Sequence, residues 1–211
     1  IGGSLTGLVT AISLSKLNCE IDLIMGKNNK NFTPKGTIAV SENNLDFLKK
    51  MNIFKSLEKN IWPCSVMKLY TEIKNKNISE VFELNNKNKE KKILYMMENK
   101  KIIQSMISKI KKIQSIKIEN NVTISEITND GLLQSIKVNN KKKKYNLVIV
   151  CTGANSPLVK NYFKDKIIEK SYKESSITTI LNHNHLKENH TVRQIFMDNQ
   201  IFWFYCSENC E

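Results

Sequence analysis

Several common signatures are missing from this 211-residue sequence, and each absence removes a class of protein. No apolar run is long enough to span a membrane. The apolar stretch Leu5–Leu17 lacks a basic flank and a cleavage signal, so it is not a secretory leader. No internal repeat is evident, which sets solenoids and propellers aside. The five cysteines, Cys19, Cys64, Cys151, Cys206 and Cys210, form no C-x-x-C pair. Such an odd, scattered set points to free thiols, a reducing compartment and a cytoplasmic location. His183, His185 and His190 lie near Cys206 and Cys210 in sequence, but their spacing fits no standard metal site, and a polar loop with no metal is expected there. There is no initiating methionine, and the chain stops after the apolar run Ile201–Cys206. It is therefore expected to be a fragment.

The charge balance is what composition does offer. Thirty-three basic residues against 20 acidic ones give a net charge of +13 and a pI near 9.4. The excess is lysine rather than arginine and is concentrated at 85–92 and 141–144. These stretches read as solvated loops. With no nucleic-acid motif beside them, no nucleic-acid partner is expected. A hydrophobic content of 40% is enough for a packed core and excludes a disordered chain.

The chemistry is concentrated at the start. Gly2-Gly3-Ser4-Leu5-Thr6-Gly7 matches the spacing of Gly-x-Gly-x-x-Gly, with serine in the middle position. A helix and then the β-type run Glu20–Met25 follow, the order of a dinucleotide-binding βαβ unit. Such a turn brings backbone close to a pyrophosphate and aims the N–H groups of the new helix at it. Ser4 puts a side chain, and a hydroxyl that can bond phosphate, where glycine normally clears the approach. An acidic residue that would hold a ribose is expected about 20 residues on. Met25 stands there instead.

Further along, Gly26–Lys35 reads as a loop and Ser41 as the N-cap of a helix running to Met51. A short helix is expected over Lys55–Asn60. Antiparallel strands are expected over Cys64–Ile73 and Ile78–Leu84, and another strand over Ile93–Met97. Ile102, Ile103, Met106, Ile107, Ile110 and Ile113 form one apolar helix face. Strands are expected at Val122–Ile127, Leu132–Val138 and Lys143–Val150, with a hairpin turn at Asn139-Asn140. Leu147–Val150 has the continuous apolar character of a buried parallel strand. It leads into Cys151-Thr152-Gly153-Ala154-Asn155-Ser156-Pro157, where Ser156 caps a helix begun by Pro157. Strands over Ser175–Leu181, Thr191–Met197 and Ile201–Cys206 close the chain.

Four stretches, Gly2–Leu8, Gly36–Ser41, Leu94–Asn99 and Leu147–Ser156, resemble in order and spacing the FAD-dependent aromatic hydroxylases, in particular the ubiquinone-biosynthesis branch. The tail from Ser171 resembles the start of that family's substrate sheet. The resemblance implies an α/β fold. A Rossmann-like FAD-binding domain with a parallel sheet takes residues 1–63 and 92–165, and an incomplete antiparallel substrate sheet takes 64–91 and 166–211. It implies FAD as cofactor, held at Gly2, Gly3, Ser4, Thr6, Gly7, Lys35, Gly36, Asn99, Gly153, Ala154, Asn155 and Ser156. The implied activity is monooxygenation of a prenylated aromatic ring, with a lipid-like quinone precursor as substrate. Peripheral contact with the inner face of the membrane and a quinone-synthesis complex go with it. Flavin chemistry of this kind needs no protein nucleophile, so no catalytic residue is assigned.

Several family positions are altered. The ribose acid is Met25, the arginine before the Ala-containing stretch falls at Gly36 beside Lys35, the Asp-Gly acid falls at Thr152, and the arginine after Glu-Asn is Lys100. Main-chain contacts do not need those side chains. Two alternatives stay open: a cofactor-poor homologue serving as a binding or assembly partner, and a flavin oxidoreductase of the same fold with another substrate. The flavin assignment requires the first turn and the turn after Val150 to meet in space.

Overall fold

A computed structural model describes residues 1–26, 36–73, 77–86, 91–153, 156–163, 168, 170, 190–197 and 200–204. In chain order the elements begin with α1 (Leu5–Leu14), β1 (Ile21–Gly26), β2 (Thr37–Val40), α2 (Glu42–Lys50), β3 (Ile61–Cys64), β4 (Val66–Ile73) and β5 (Asn77–Asn85). Then come β6 (Leu94–Glu98), α3 (Asn99–Ile110), β7 (Ile116–Val122), β8 (Ile124–Asp130), β9 (Leu133–Val138) and β10 (Lys141–Tyr145). Last are α4 (Pro157–Phe163), β11 (Thr191–Met197) and β12 (Gln200–Phe204). Two compact units divide the chain, Ile1–Pro34 with Ile102–Ile177, and Lys35–Lys101 with Thr178–Glu211. No helix among the described residues is long and apolar enough to cross a membrane.

In the first unit, α1 buries Gly7, Leu8, Ala11 and Ile12, a stripe at helical spacing. A 3-10 turn at Ser15–Leu17 continues it, and Asn18 ends it with a left-handed φ of 56°. β1 pairs in parallel with β7, Ile21 opposite Ile116. β7 was not expected from the sequence, because Lys117, Glu119, Asn120 and Asn121 hide its strand character; its ends, Ile116 and Val122, are buried. A second sheet has the order β10-β9-β8 and is antiparallel throughout. Asn139 and Asn140 turn β9 into β10 with φ of 46° and 65°, the two left-handed residues that a tight hairpin needs. Ile24, Val122, Ile136 and Val138 form the core here, with Ile1, Tyr145 and Val148 packed against it.

Two expectations are corrected in this unit. The lysine run 141–144 is not a loop but the edge strand β10. Lys142 and Lys144 bond Asp130 at 3.1 and 3.0 Å, while Lys143 pairs with Glu119. Charge on an edge strand discourages pairing with another chain, so the run has a structural use. The second correction concerns the strand expected over Lys143–Val150. It ends at Tyr145, residues 147–150 lie outside regular structure, and Leu147 is 68% exposed.

The second unit holds a β2-β6-β3 sheet and a β12-β11-β4-β5 sheet in which β11 runs parallel to β4. Ser41 caps α2, its Oγ accepting from the Asn44 amide at 3.4 Å. The strand expected to begin at Cys64 is split. The Ser65 and Val66 amides both donate to the His190 carbonyl, and the chain passes there from β3 to β4. Trp62, Cys64, Met96 and Val192 make the core of this unit, and burial pushes the Cys64 thiol up to about 12. The expected helix over Lys55–Asn60 is present as two 3-10 turns. The loop at 27–35 and the strand expected at Ser175–Leu181 lie outside the described residues.

Candidate functional site: two turns joined at Ile1

The turn before α1 is built by close backbone approach. A side chain at Gly7 would run into the Gly2 carbonyl oxygen, and one at Gly2 into the Cys151 carbonyl. Gly2 also has φ +120°, a region that disfavours any side chain. The second turn, Cys151–Gly153, lies directly against the first. The Cys151 amide donates to the Ile1 carbonyl at 2.7 Å, and the Ser4 hydroxyl lies 3.4 Å from the Cys151 carbonyl. So the two turns that the sequence singles out do meet.

Ser4 is the N-cap of α1 in position, but its hydroxyl makes no capping bond and points to Cys151 instead. The first N–H groups of a helix have no partner within the helix, and α1 has no acidic side chain in its first turn to compete for them. Thr6 is exposed beside them. Gly153 has φ +81° with open space where a side chain would stand. Ser156 follows, its carbonyl accepting from the Lys160 amide at 3.0 Å as α4 begins. Thr152 Oγ1 is buried and has no hydrogen-bond partner among the described residues.

The arrangement suits a pyrophosphate better than a ribose. Donors at a helix start and an open glycine turn fit a phosphate. Met25, at the position where the sequence resemblance implies an acid for the ribose, packs into the turn: a side chain at Gly3 would lie 2.5 Å from the Met25 sulfur. The sequence shows Met25 in place of the expected acid but carries no signal for this packing. It also missed Cys151, whose carbonyl is the point where both turns converge.

Other candidate residues fall elsewhere. Gly36 and Asn99 belong to the second unit, where the Asn99 amide donates to the Gly36 carbonyl at 3.1 Å. Lys35, Ala154 and Asn155 lie outside the described residues, as do His183, His185, Cys206 and Cys210. His190 stacks on Trp62, and its Nδ1 lies 2.9 Å from the Pro63 carbonyl oxygen. Among the described residues no group of three or more metal-binding side chains comes together.

No protein-family model and no curated protein sequence matches the chain. Solved structures do. A variant of Pseudomonas aeruginosa PqsL aligns with a TM-score of 0.72 at 8% identity, over 97% of this chain and 55% of that one. Tetracycline destructase Tet(51) aligns at 0.59 and 16% identity, over 99% and 52%. The flavin-dependent monooxygenase PieE, solved with FAD and substrate, aligns at 0.59 and 11%, over 73% and 29%. The chain thus spans from under a third to just over half the length of these proteins, and what it shares with them is a fold also found in flavin-dependent monooxygenases.

Proposed function

We propose that the chain is the nucleotide-binding part of an FAD-dependent monooxygenase. The observation that carries this reading is the junction of the two turns through Ile1 and Cys151. On this reading the N–H groups at the start of α1, with Gly2, Gly3, Ser4, Thr6 and Gly7 around them, hold the pyrophosphate from one side. The turn from Gly153 to Ser156 holds it from the other. Gly36, Asn99 and Lys35 enter this reading through the sequence resemblance alone. FAD, when bound, supplies the redox chemistry, and the chain's own part is to bind it, orient it and keep water away. The finer proposal rests on the four sequence stretches alone. It is hydroxylation of a prenylated aromatic ring in ubiquinone synthesis, with a lipid-like quinone precursor as substrate.

A second reading has its own observation. The Met25 sulfur packs against Gly3, and the sequence resemblance puts an acid for the ribose at this position. A charged hydrogen bond lost there is worth about 1.5–3 kcal/mol, roughly ten- to a hundredfold in affinity. The fold would then serve with weak cofactor binding or none, as a binding or assembly partner.

Titration with FAD, followed by flavin fluorescence, separates the two. The first reading expects micromolar binding by the chain itself and tightening of ten- to a hundredfold in Met25→Glu. Binding by Met25→Glu alone favours the second. No uptake by either, with both folded by circular dichroism, removes FAD from the account. For the finer proposal, the gene should restore the quinone in a strain lacking a ring-hydroxylation step; failure to do so removes the ubiquinone assignment.

A further inference from the structure

Of the seven glycines only Gly131 follows an Asp or Asn side chain: Asp130-Gly131 is the one Asp-Gly pair, and there is no Asn-Gly. In such a pair an aspartate reacts with its own backbone most readily, because glycine puts no side chain in the way of the next amide nitrogen. The fold sets it in an open turn. Asp130 ends β8 opposite Leu133, which begins β9, and Gly131 and Leu132 make the two-residue connection. Gly131 has φ +66° and Leu132 does not share that sign, the pattern of a type II′ hairpin. The bond of a β-turn runs between its first and fourth residues, so the turn leaves the Gly131 amide uncommitted. Nothing stands within 4 Å of where a Gly131 side chain would lie, and Leu132 is 99% exposed. Water therefore reaches the turn.

The carboxylate is held. Lys142 and Lys144 approach Asp130 Oδ2 at 3.1 and 3.0 Å. Both sit on β10, two strands away, and span β9 to reach it. A lysine that only guarded the sheet edge would point into solvent, whereas these two converge on one acid. Their hydrogen bonds, first Lys144 and then Lys142, together with their charge hold the Asp130 carboxyl below its ordinary value. Less of it then carries a proton. An amide nitrogen displaces hydroxyl from a neutral carboxylic acid far more easily than it displaces oxide from a carboxylate. Whatever keeps the proton off Asp130 therefore slows attack by Gly131.

We propose that Asp130 is a site of spontaneous succinimide and isoaspartate formation, and that Lys142 and Lys144 act as its brake. The Gly131 nitrogen bonds to Asp130 Cγ, while the amide proton and the carboxyl hydroxyl leave as water. Water then opens the ring at either carbonyl. One opening restores aspartate. The other gives isoaspartate, in which the main chain runs through Cβ and Cγ. No oxidant or cofactor is consumed. Isoaspartate adds one atom to the main chain of a two-residue turn, and hairpin register depends on loop length. β9 carries Ile136 and Val138 into the core of the first unit, so a change at the exposed turn is passed to the core.

The test incubates the full chain for weeks in neutral buffer. Peptides are then made with a protease that cuts before aspartate but not before isoaspartate, and are identified by mass spectrometry. Isoaspartate is expected at position 130 ahead of every other aspartate, and Gly131→Ala should hold it at background. Lys142→Gln combined with Lys144→Gln should speed its formation about two- to fivefold, the scale set by exposed ion pairs. That gain should vanish in urea, where the pairs are lost. High salt screens exposed pairs and should speed the reaction in the unaltered chain as well, so the test does not depend on the variants folding. The isomerised fraction, once separated, should unfold at a lower midpoint. No preference for position 130, no acceleration by salt or in the folded double variant, or an acceleration that persists in urea would overturn the proposal. FAD plays no part in this readout, so the result stands apart from the proposed function.

Discussion

β1 and Leu147–Val150 are the same kind of sequence with different outcomes. Both are short, mostly apolar runs beside the candidate site: Met25 in β1 lies against Gly3, and Val150 leads into the Cys151–Gly153 turn. β1 has a neighbour, β7, over its whole length, and Leu23, Ile24 and Met25 are buried. Leu147–Val150 has one rung, at Ile1, and is irregular and half-exposed. The difference lies in pairing, not propensity. A parallel strand gains its hydrogen bonds and its burial from its neighbours, so an apolar run with a single rung has little to hold it extended.

That contrast can be broken most severely in the core. Ile24 is 1% exposed among Val122, Ile136 and Val138. Ile24→Ala is expected to cost about 2–5 kcal/mol, whereas Leu147→Ala should cost less than about 0.5 kcal/mol. Urea unfolding of the two variants measures the gap, and similar losses would refute the contrast.

The two turns of the candidate site should differ in the same sense. Gly7→Ala forces a side chain into the Gly2 carbonyl oxygen, backbone that cannot swing aside, and is expected to cost about 3 kcal/mol. Gly153→Ala meets open space and is left with the strain of its positive φ, about 1 kcal/mol. Thermal unfolding of both variants checks the order.

The least effect is expected from the lysine edge. Asp130→Asn removes a carboxylate that Lys144 and Lys142 hold below its ordinary value by hydrogen bonding, yet the group is exposed. The unfolding midpoint should barely move, and any shift should vanish in high salt.

How much was legible beforehand differs from element to element. The apolar face of α3, the Ser41 cap, the Asn139-Asn140 hairpin and the Gly2–Gly7 turn followed by β1 rest on neighbours within a few positions, and each is found as expected. β7 escaped notice because an alternating Ile-Lys-Ile-Glu stretch looks like a polar connection until β1 lies beside it. The switch of sheets at Ser65 depends on the distant His190 carbonyl. In the site, the glycine spacing and the Thr152-Gly153 turn could be read in advance. The packing of Met25 against Gly3 and the turning of Ser4 to Cys151 could not, because both join residues brought close only by folding.

By itself, then, the sequence determined which short segments twist into helices, turn or extend, since caps, glycines and apolar spacing act within a turn or two of chain. Only the tertiary structure decided which extended segments became strands, which lysines found acids, and that Ile1 and Gly2 bond to Ile149, Cys151 and Ile24. Those outcomes depend on hydrogen-bond and burial partners from a dozen to 148 residues away along the chain, and no pattern within a turn or two encodes them.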